Sequence, residues 1–578
     1  MIRVRTFARS IVRKRSWTVA TDVCVLFAGL ACFYGVVLIA RYWAGAASTE
    51  AKIDLSPTAL PLYAFYSVAR IAIAYLISLI FALAYGWIAA HNARLEEPML
   101  AVLDVLQSIP VLSFLPGVML AMVALLPTRQ LGVELGAIVL IFTGQVWNIA
   151  FSFYSSLKGI PRELHEATRI YQLNGIQRFF MLELPYGAIG LIWNSMVSVA
   201  GGWFFLMACE MFVLGNRDFR LPGLGSYLQT ASSAGDTAAI LWGLVTMIGV
   251  IVLIDQLIWR PIIAWSDKFK FEQVESADVP RSPILQAIRR SHAIASAERR
   301  LLRPVSEWLT VTRAEKPVQS AQTSQTARTS RYVAAFFVLA AAAVVTIFAA
   351  VHAIGMLKTL HSSDLSLTVK SALATLVRVT VSLILASAWT IPAGVAIGLN
   401  PKLARVAQPL AQLAASIPAT ALFPVLLLGI VELGGGLGVG SIALMLLGTQ
   451  WYILFNVIAG AMAIPSDLRE VADVFSFSSA ERWRTVILPG IFPYLITGLV
   501  TASGGAWNAS IIAEYFHIQQ HTLSTIGVGA EISRATDSGN FPLLLLSTIV
   551  MAAMVLTINR LLWRPLYRLA ETRFRLEA

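Results

Sequence analysis

Ile160-Pro161-Arg162-Glu163-Leu164-His165-Glu166-Ala167-Thr168, followed by Leu184-Pro185, returns later in the chain as Ile464-Pro465-Ser466-Asp467-Leu468-Arg469-Glu470-Val471-Ala472, followed by Leu488-Pro489. Each residue of the second stretch stands 304 positions beyond its partner in the first. The same shift relates Trp203 to Trp507, Glu210 to Glu514, Gly225 to Gly529 and Trp259-Arg260-Pro261 to Trp563-Arg564-Pro565. Upstream the shift is 308, relating Arg70 to Arg378, Ser108-Ile109-Pro110 to Ser416-Ile417-Pro418 and Pro116 to Pro424. One length change between Pro116 and Gln145 reconciles the two registers, and self-similarity this long means two copies of one domain.

Hydrophobic residues make up 57% of the 578 and charged residues only 13%, with a mean hydropathy of +0.71. Such a composition excludes an ordinary soluble chain. Crossing about 30 Å of hydrocarbon takes about 20 helical residues. Apolar stretches of that order fall near 17–40, 63–90, 100–126, 134–157, 186–214 and 238–264, and again near 332–356, 368–398, 408–431, 437–460, 490–515 and 541–563. The expected fold is an all-α polytopic membrane protein of two tandem six-helix bundles, 1–265 and 332–578, joined by a linker at 266–331. An even number of spans per copy gives both bundles the same orientation, related by a pseudo-twofold axis along the membrane normal.

Charge sets the orientation. Arg3, Arg5, Arg9, Arg13, Lys14 and Arg15 precede the first span, and Arg560, Arg564, Arg568, Arg573 and Arg575 follow the last. By the positive-inside rule both termini, the linker and both repeated Glu-containing segments are expected in the cytoplasm. The linker ends in a polar run at 317–326 with nothing to bury, and its 285–309 part has helical spacing suited to a membrane surface. The net charge of +12 sits beside the spans, where it anchors them to anionic lipid; nucleic acid is not an expected partner. Cys24, Cys32 and Cys209 lie in apolar stretches without metal-ligand or disulfide spacing. The basic start resembles a secretory signal, but its apolar run is too long for a signal core, so an uncleaved first helix is expected.

The repeated segment is too polar to enter lipid, yet its apolar residues keep helical spacing: Leu164, Ala167, Ile170 and Tyr171 in one copy, Leu468, Val471, Val474 and Phe475 in the other. Pro161 and Pro465 suit a helix start, where a missing donor costs nothing. Each copy thus offers a short helix between two spans, fit to dock in a groove on a cytosolic partner.

At these residues the sequence resembles the signature loop of ATP-binding-cassette importer permeases. Glu166-Ala167-Thr168 with Leu182, Leu184 and Pro185 matches that loop, as does Glu470-Val471-Ala472 with Val486, Leu488 and Pro489. Gln172 and Ser476 stand where the pattern has glycine, and Thr168 where it has a second alanine. The Ser-Ile-Pro, Trp507-to-Glu514 and Gly-x-Gly features resemble the branch that moves nitrate, taurine, sulfonates and related anions, in its duplicated form. The resemblance implies that Glu166 and Glu470 anchor coupling helices to two copies of a separate ATPase subunit. It also implies a periplasmic or lipid-anchored binding protein that delivers the solute, and a home in the bacterial inner membrane. No Gly-x-x-x-x-Gly-Lys-Ser/Thr loop occurs in the chain, so nucleotide phosphates have no usual cradle here and no cofactor is expected.

Ionisable side chains in a bilayer need partners or a function. Arg70 with Glu210 and Arg378 with Glu514 are expected near the outer ends of their spans, as two ion pairs or a charged ring; the alternative is a pair of static clamps between helices. Gln145, Trp147 and Asn148 with counterparts Gln450, Trp451 and Tyr452, together with Asn194, Ser195, Trp507, Asn508 and Ser510, are candidates for the pathway. Uncharged donors of this kind suit an oxyanion that must be released again, although they also glue membrane helices together. Pro110, Pro116, Pro418 and Pro424 interrupt the third span of each copy and are candidate gate elements, since proline removes a helix hydrogen bond.

An ion-coupled secondary transporter built from duplicated bundles is the alternative reading, with Asp22, Asp104, Glu210, Asp255 and Glu514 as candidate ion carriers. A membrane enzyme lacks support, because no His cluster, nucleophile elbow or metal-ligand spacing is present.

Overall fold

The computed structural model describes residues 52–126, 130–214, 217–266, 350–518 and 521–573, with a few isolated positions between 268 and 348. The expected first span at 17–40, most of the span at 332–356 and almost all of the linker, including its surface helix, lie outside the described residues.

The first copy contains α1 (Leu60–His91), α2 (Glu96–Ser108), α3 (Leu115–Leu125), α4 (Leu131–Lys158), α5 (Arg162–Ile170), α6 (Gly175–Arg178), α7 (Leu184–Glu210), α8 (Leu224–Ala234), α9 (Thr237–Ile254) and α10 (Arg260–Ser266). The second repeats the series as α11 (Ser362–Leu399), α12 (Pro401–Ser416), α13 (Ala419–Glu432), α14 (Leu437–Met462), α15 (Ser466–Val474), α16 (Ser479–Arg482), α17 (Leu488–Ala513), α18 (Val528–Asp537), α19 (Phe541–Ile558) and α20 (Arg564–Arg573). Each helix of the first copy therefore has its repeat ten numbers later. Antiparallel hairpins follow α7 and α17: β1 (Val213–Leu214) with β2 (Arg217–Asp218), and β3 (Tyr515–Ile518) with β4 (His521–Ser524).

Among the described residues eight units are long and apolar enough to cross a membrane: 57–91, 131–158, 175–210 and 237–266, then 362–399, 437–462, 479–513 and 541–570. The chain is an all-α polytopic membrane protein. Short π turns at Phe179–Glu183, Asp255–Trp259, Trp483–Ile487 and Asn559–Trp563 join α6 to α7, α9 to α10 and their repeats. Each ends two residues before a proline, Pro185, Pro261, Pro489 or Pro565. Proline cannot donate to the preceding turn, and the widened turn absorbs that loss without ending the helix.

The third span is not one helix. α2 stops at Ser108, Ile109 is extended (φ −80°, ψ 125°), and Pro110 leads into a 3-10 turn at Val111–Phe114 before α3. The second copy breaks at the matching place, with Ile417 extended (φ −77°, ψ 119°) between α12 and α13. Proline disfavours the α region for the residue before it, and Ile109 and Ile417 take the extended alternative, so each break falls at an Ile-Pro pair. Pro116 and Pro424 do not: Pro116 lies in the first turn of α3, where no donor is needed, and Pro424 is carried inside α13.

Small residues line the buried stripe of α1, with Ala64, Ser67, Ala74, Ser78, Ala82, Gly86 and Ala89 at helical spacing. They let backbones approach: a Cβ on Gly86 would stand 3.2 Å from the Ala150 carbonyl oxygen of α4.

Candidate functional site

The short helices α5 and α15 lie between spans, as their spacing predicts. Pro161 and Pro465 sit at the residue before each helix, and the Pro161 carbonyl accepts from the Leu164 N–H at 3.2 Å. Both helices end in the same left-handed turn: Gln172 has φ 51° and Ser476 φ 52°. The Leu173 N–H then reaches back to the Thr168 carbonyl at 3.0 Å, and the Phe477 N–H to Ala472 at 3.0 Å. This is a glycine-type helix stop built without glycine. Thr168 and Ala472 face inward and are buried, whereas Glu166 and Glu470 are exposed. Around the glutamates lies bare apolar surface: Ile170 is 78% exposed, Tyr171 73%, Val474 80% and Phe475 70%.

The charged residues near the other end of the spans form one compact cluster in each bundle. Arg70 Nη1 donates to Glu210 Oε1 at 2.8 Å, and Glu210 also accepts from the Ser67 hydroxyl at 2.6 Å and the Gly225 N–H at 2.7 Å. Arg70 Nε and Nη2 donate to the two oxygens of Glu134 at 2.6 and 2.7 Å. Arg70, Glu134 and Glu210 are all fully buried. In the second bundle Arg378 donates to Glu514 at 2.8 Å, and Glu514 accepts from Thr375 at 2.8 Å and the Gly529 N–H at 3.0 Å. The carboxylates sit against the first turns of α8 and α18, whose free N–H groups favour negative charge. Gly223 and Gly527 are required here, since a Cβ on either would overlap the carboxylate. Each cluster ties helices within its own bundle.

The break in the third span lies on the seam between copies. The Leu112 N–H donates to Asn508 of α17 at 3.4 Å, and Thr548 of α19 donates to the Ser113 carbonyl at 3.2 Å. On the matching side Ile417, Pro418 and Ala419 face α7, where together with Trp203, Trp451, Tyr452 and Asn508 they line a cavity of about 160 Å³. A wider recess of about 580 Å³ lies near the hairpins, bordered by Leu112, Phe212, Arg220, Tyr515, Phe516 and Asp537.

Residues 59–259 and 390–575, one stretch in each copy, match the family described as "binding-protein-dependent transport system inner membrane component". The chain belongs to this family. Among its relatives, nitrate import permease protein NrtB of Leptolyngbya laminosa is 28% identical over 188 residues, covering 32% of this chain and 64% of that protein. Bicarbonate transport system permease protein CmpB of Synechococcus elongatus is 29% identical over 188 residues, with the same shares of 32% and 64%. Taurine transport system permease protein TauC of Escherichia coli is 29% identical over 142 residues, 24% of this chain and 50% of that protein. The chain thus spans 64% or less of the length of these relatives.

Within this family member the other polar candidates are spread out. Trp451 and Asn508 line the seam cavity, together with Tyr452. Trp147 and Asn148 are half-buried on α4. Asn194 donates to Ser152 at 3.0 Å inside the first bundle, and Gln450 accepts from the Trp389 indole at 3.1 Å. Trp507 is packed in the core. Gln145 is fully buried with neither amide atom bonded, and its repeat is Thr449, not Gln450, because Gly144 and Gly448 fix the register. Sequence reading missed Glu134, although it is an acidic residue at the head of an apolar stretch, and Glu183, whose bonds appear only in three dimensions.

Proposed function

We propose that this chain is the translocating subunit of an importer that carries a small anion across the bacterial inner membrane, driven by ATP hydrolysis on two separate ATPase subunits. The paired helices α5 and α15 support the reading: two levers at equivalent positions each present an exposed glutamate beside large uncovered apolar side chains. On soluble surfaces such patches mark docking sites. Glu166 and Glu470, with Ala167 and Ala472 beside them, are the anchoring positions; Leu184-Pro185 and Leu488-Pro489 pass each lever's movement into α7 and α17. Both termini are cytoplasmic, 1–265 and 332–578 act as two rocking halves, and 266–331 tethers them. A binding protein meets the opposite face, near the hairpins. Solute moves along the seam past Trp451, Tyr452 and Asn508, with the breaks at Pro110 and Pro418 as the gate. Relatives named for nitrate, bicarbonate and taurine favour an anion of that size.

Reconstitution with candidate ATPase subunits and a binding protein from the same organism tests this. ATP-dependent uptake of a bound anion that survives collapse of ion gradients is expected. Uptake that follows an ion gradient without ATP would replace this reading with an ion-coupled one.

A further inference from the structure

His91 closes α1 at the lever end, inside a bonded cluster that only the first copy has. Its Nδ1 lies 2.9 Å from the Trp87 carbonyl oxygen, so Nδ1 carries a hydrogen and donates. Its Nε2 lies 3.0 Å from Glu183 Oε1 and 3.1 Å from an Arg178 guanidinium nitrogen. The same Glu183 oxygen pairs with Arg178 Nε at 2.6 Å, and Glu183 Oε2 accepts from the Trp87 indole at 3.0 Å. The Glu183 side chain is 1% exposed, that of His91 26% and that of Arg178 34%.

Nε2 therefore faces a donor and an acceptor at nearly equal range and can satisfy only one of them. A neutral ring accepts from Arg178 and meets the Glu183 oxygen with no proton between them. A charged ring donates to Glu183 and stands cation to cation beside Arg178. With a neutral ring the cluster's charges cancel; with a charged ring two cations compete for one buried carboxylate.

The repeat supplies the comparison. Val395, Leu399 and Ile487 occupy the positions of Trp87, His91 and Glu183. Arg482, the repeat of Arg178, pairs with Asp473 of its own lever. The first copy has Arg169 at that place, a like charge, so Arg178 turns to Glu183 instead. The cluster spans the π turn Phe179–Glu183, the joint through which α5 connects to α7. The other titratable group facing it is His165 of α5. Burial, and next the Arg178 guanidinium, hold His165 below the ordinary imidazole range, so it stays neutral further into acid.

We propose that His91 is a proton-operated latch on the first lever alone: proton uptake moves the ring from Arg178 to Glu183, frees Arg178 and loosens the joint between α5 and α7. The second copy, with Val395, Leu399 and Ile487 at the matching positions, has no such response.

Hydrogen-exchange mass spectrometry on the purified full chain in lipid nanodiscs tests this without any partner. Exchange of residues 171–183 and 475–487 is compared from about pH 8 to about pH 5.5, after correction for intrinsic exchange. The first segment is expected to exchange several-fold faster at the acid end, and the second to stay flat. His91→Gln should flatten the first segment, while His165→Gln should leave its response in place. A triple variant with the second copy's own residues, Trp87→Val with His91→Leu and Glu183→Ile, should also flatten it and guards against a folding defect in the single variant. Equal responses in the two segments, a flat wild-type profile, or a response surviving in both His91 variants would overturn the proposal.

Discussion

Arg70 grips Glu134 through both carboxylate oxygens, at 2.6 and 2.7 Å, while holding Glu210 at 2.8 Å. Its repeat Arg378 holds one carboxylate, Glu514, and also donates to Thr525 Oγ1 at 2.8 Å and the Ile526 carbonyl at 2.6 Å. Removing Arg70 leaves two buried carboxylates without a cation, and breaking a buried pair from one side costs about 3–5 kcal/mol. Arg70→Ala is expected to leave little folded protein in the membrane fraction, whereas Glu134→Gln, which keeps the shape, should cost far less. Comparable melting temperatures for the two variants would contradict this.

Gly438 stands where Glu134 does in the first copy, and a Cβ there meets only Thr525 Oγ1, at 3.9 Å. A glutamate at that place has room and lies beside the arginine cluster. Gly438→Glu is therefore expected to hold or raise the melting temperature. A clear drop would show that the two clusters are not interchangeable.

Gln172 and Ser476 accept a backbone conformation that costs a non-glycine residue about 1–2 kcal/mol. Gln172→Gly and Ser476→Gly should each stabilise the short helix they end, α5 or α15, by about 1 kcal/mol after the entropy cost of glycine. Protease protection of the loops around 172 and 476 measures it; increased cleavage would count against the turn.

Gly223→Ala and Gly527→Ala drive a methyl group into Glu210 and Glu514. Both carboxylates would lose helix N–H partners while remaining buried, a loss of about 1–3 kcal/mol per unmade bond. Lower thermal stability is expected of both variants, with no change for Gly249→Ala, where a Cβ has open space.

Ile170→Asp and Val474→Asp change side chains that contact little in the chain itself, so folding should be unaffected. Under the proposed function each removes an anchor of a docking surface, worth about 2 kcal/mol at a hot spot. Weaker ATPase co-purification, with an unchanged melting temperature, is the expected pair of results. Intact binding by both variants would move the docking surface elsewhere.

Much of this was legible in the chain because membrane helices and internal repeats leave coarse signals. The four spans described in each copy, the two short helices α5 and α15 and the Ser-Ile-Pro breaks all stand where the sequence places them. What escaped were partners set by three-dimensional closeness. Glu134 looks like one stray acid at the head of an apolar stretch until Arg70 of α1 is seen beside it. Glu183 looks like a surface residue of a polar loop until Trp87 and His91 close over it. Gln145 and Gln450 share a residue type but not a helix position: Thr449 holds the repeat position, and register decides which face a side chain takes.

The Ile-Pro joints carry a consequence for motion. Proline fixes φ on one side of each joint and disfavours the α region on the other, where Ile109 and Ile417 are extended. Nor does a ladder of backbone bonds run across Ile109 or Ile417 to resist rotation of one half-rod against the other. Under the proposed function, these unladdered elbows are where one half-rod can turn against the other with the fewest backbone bonds to break.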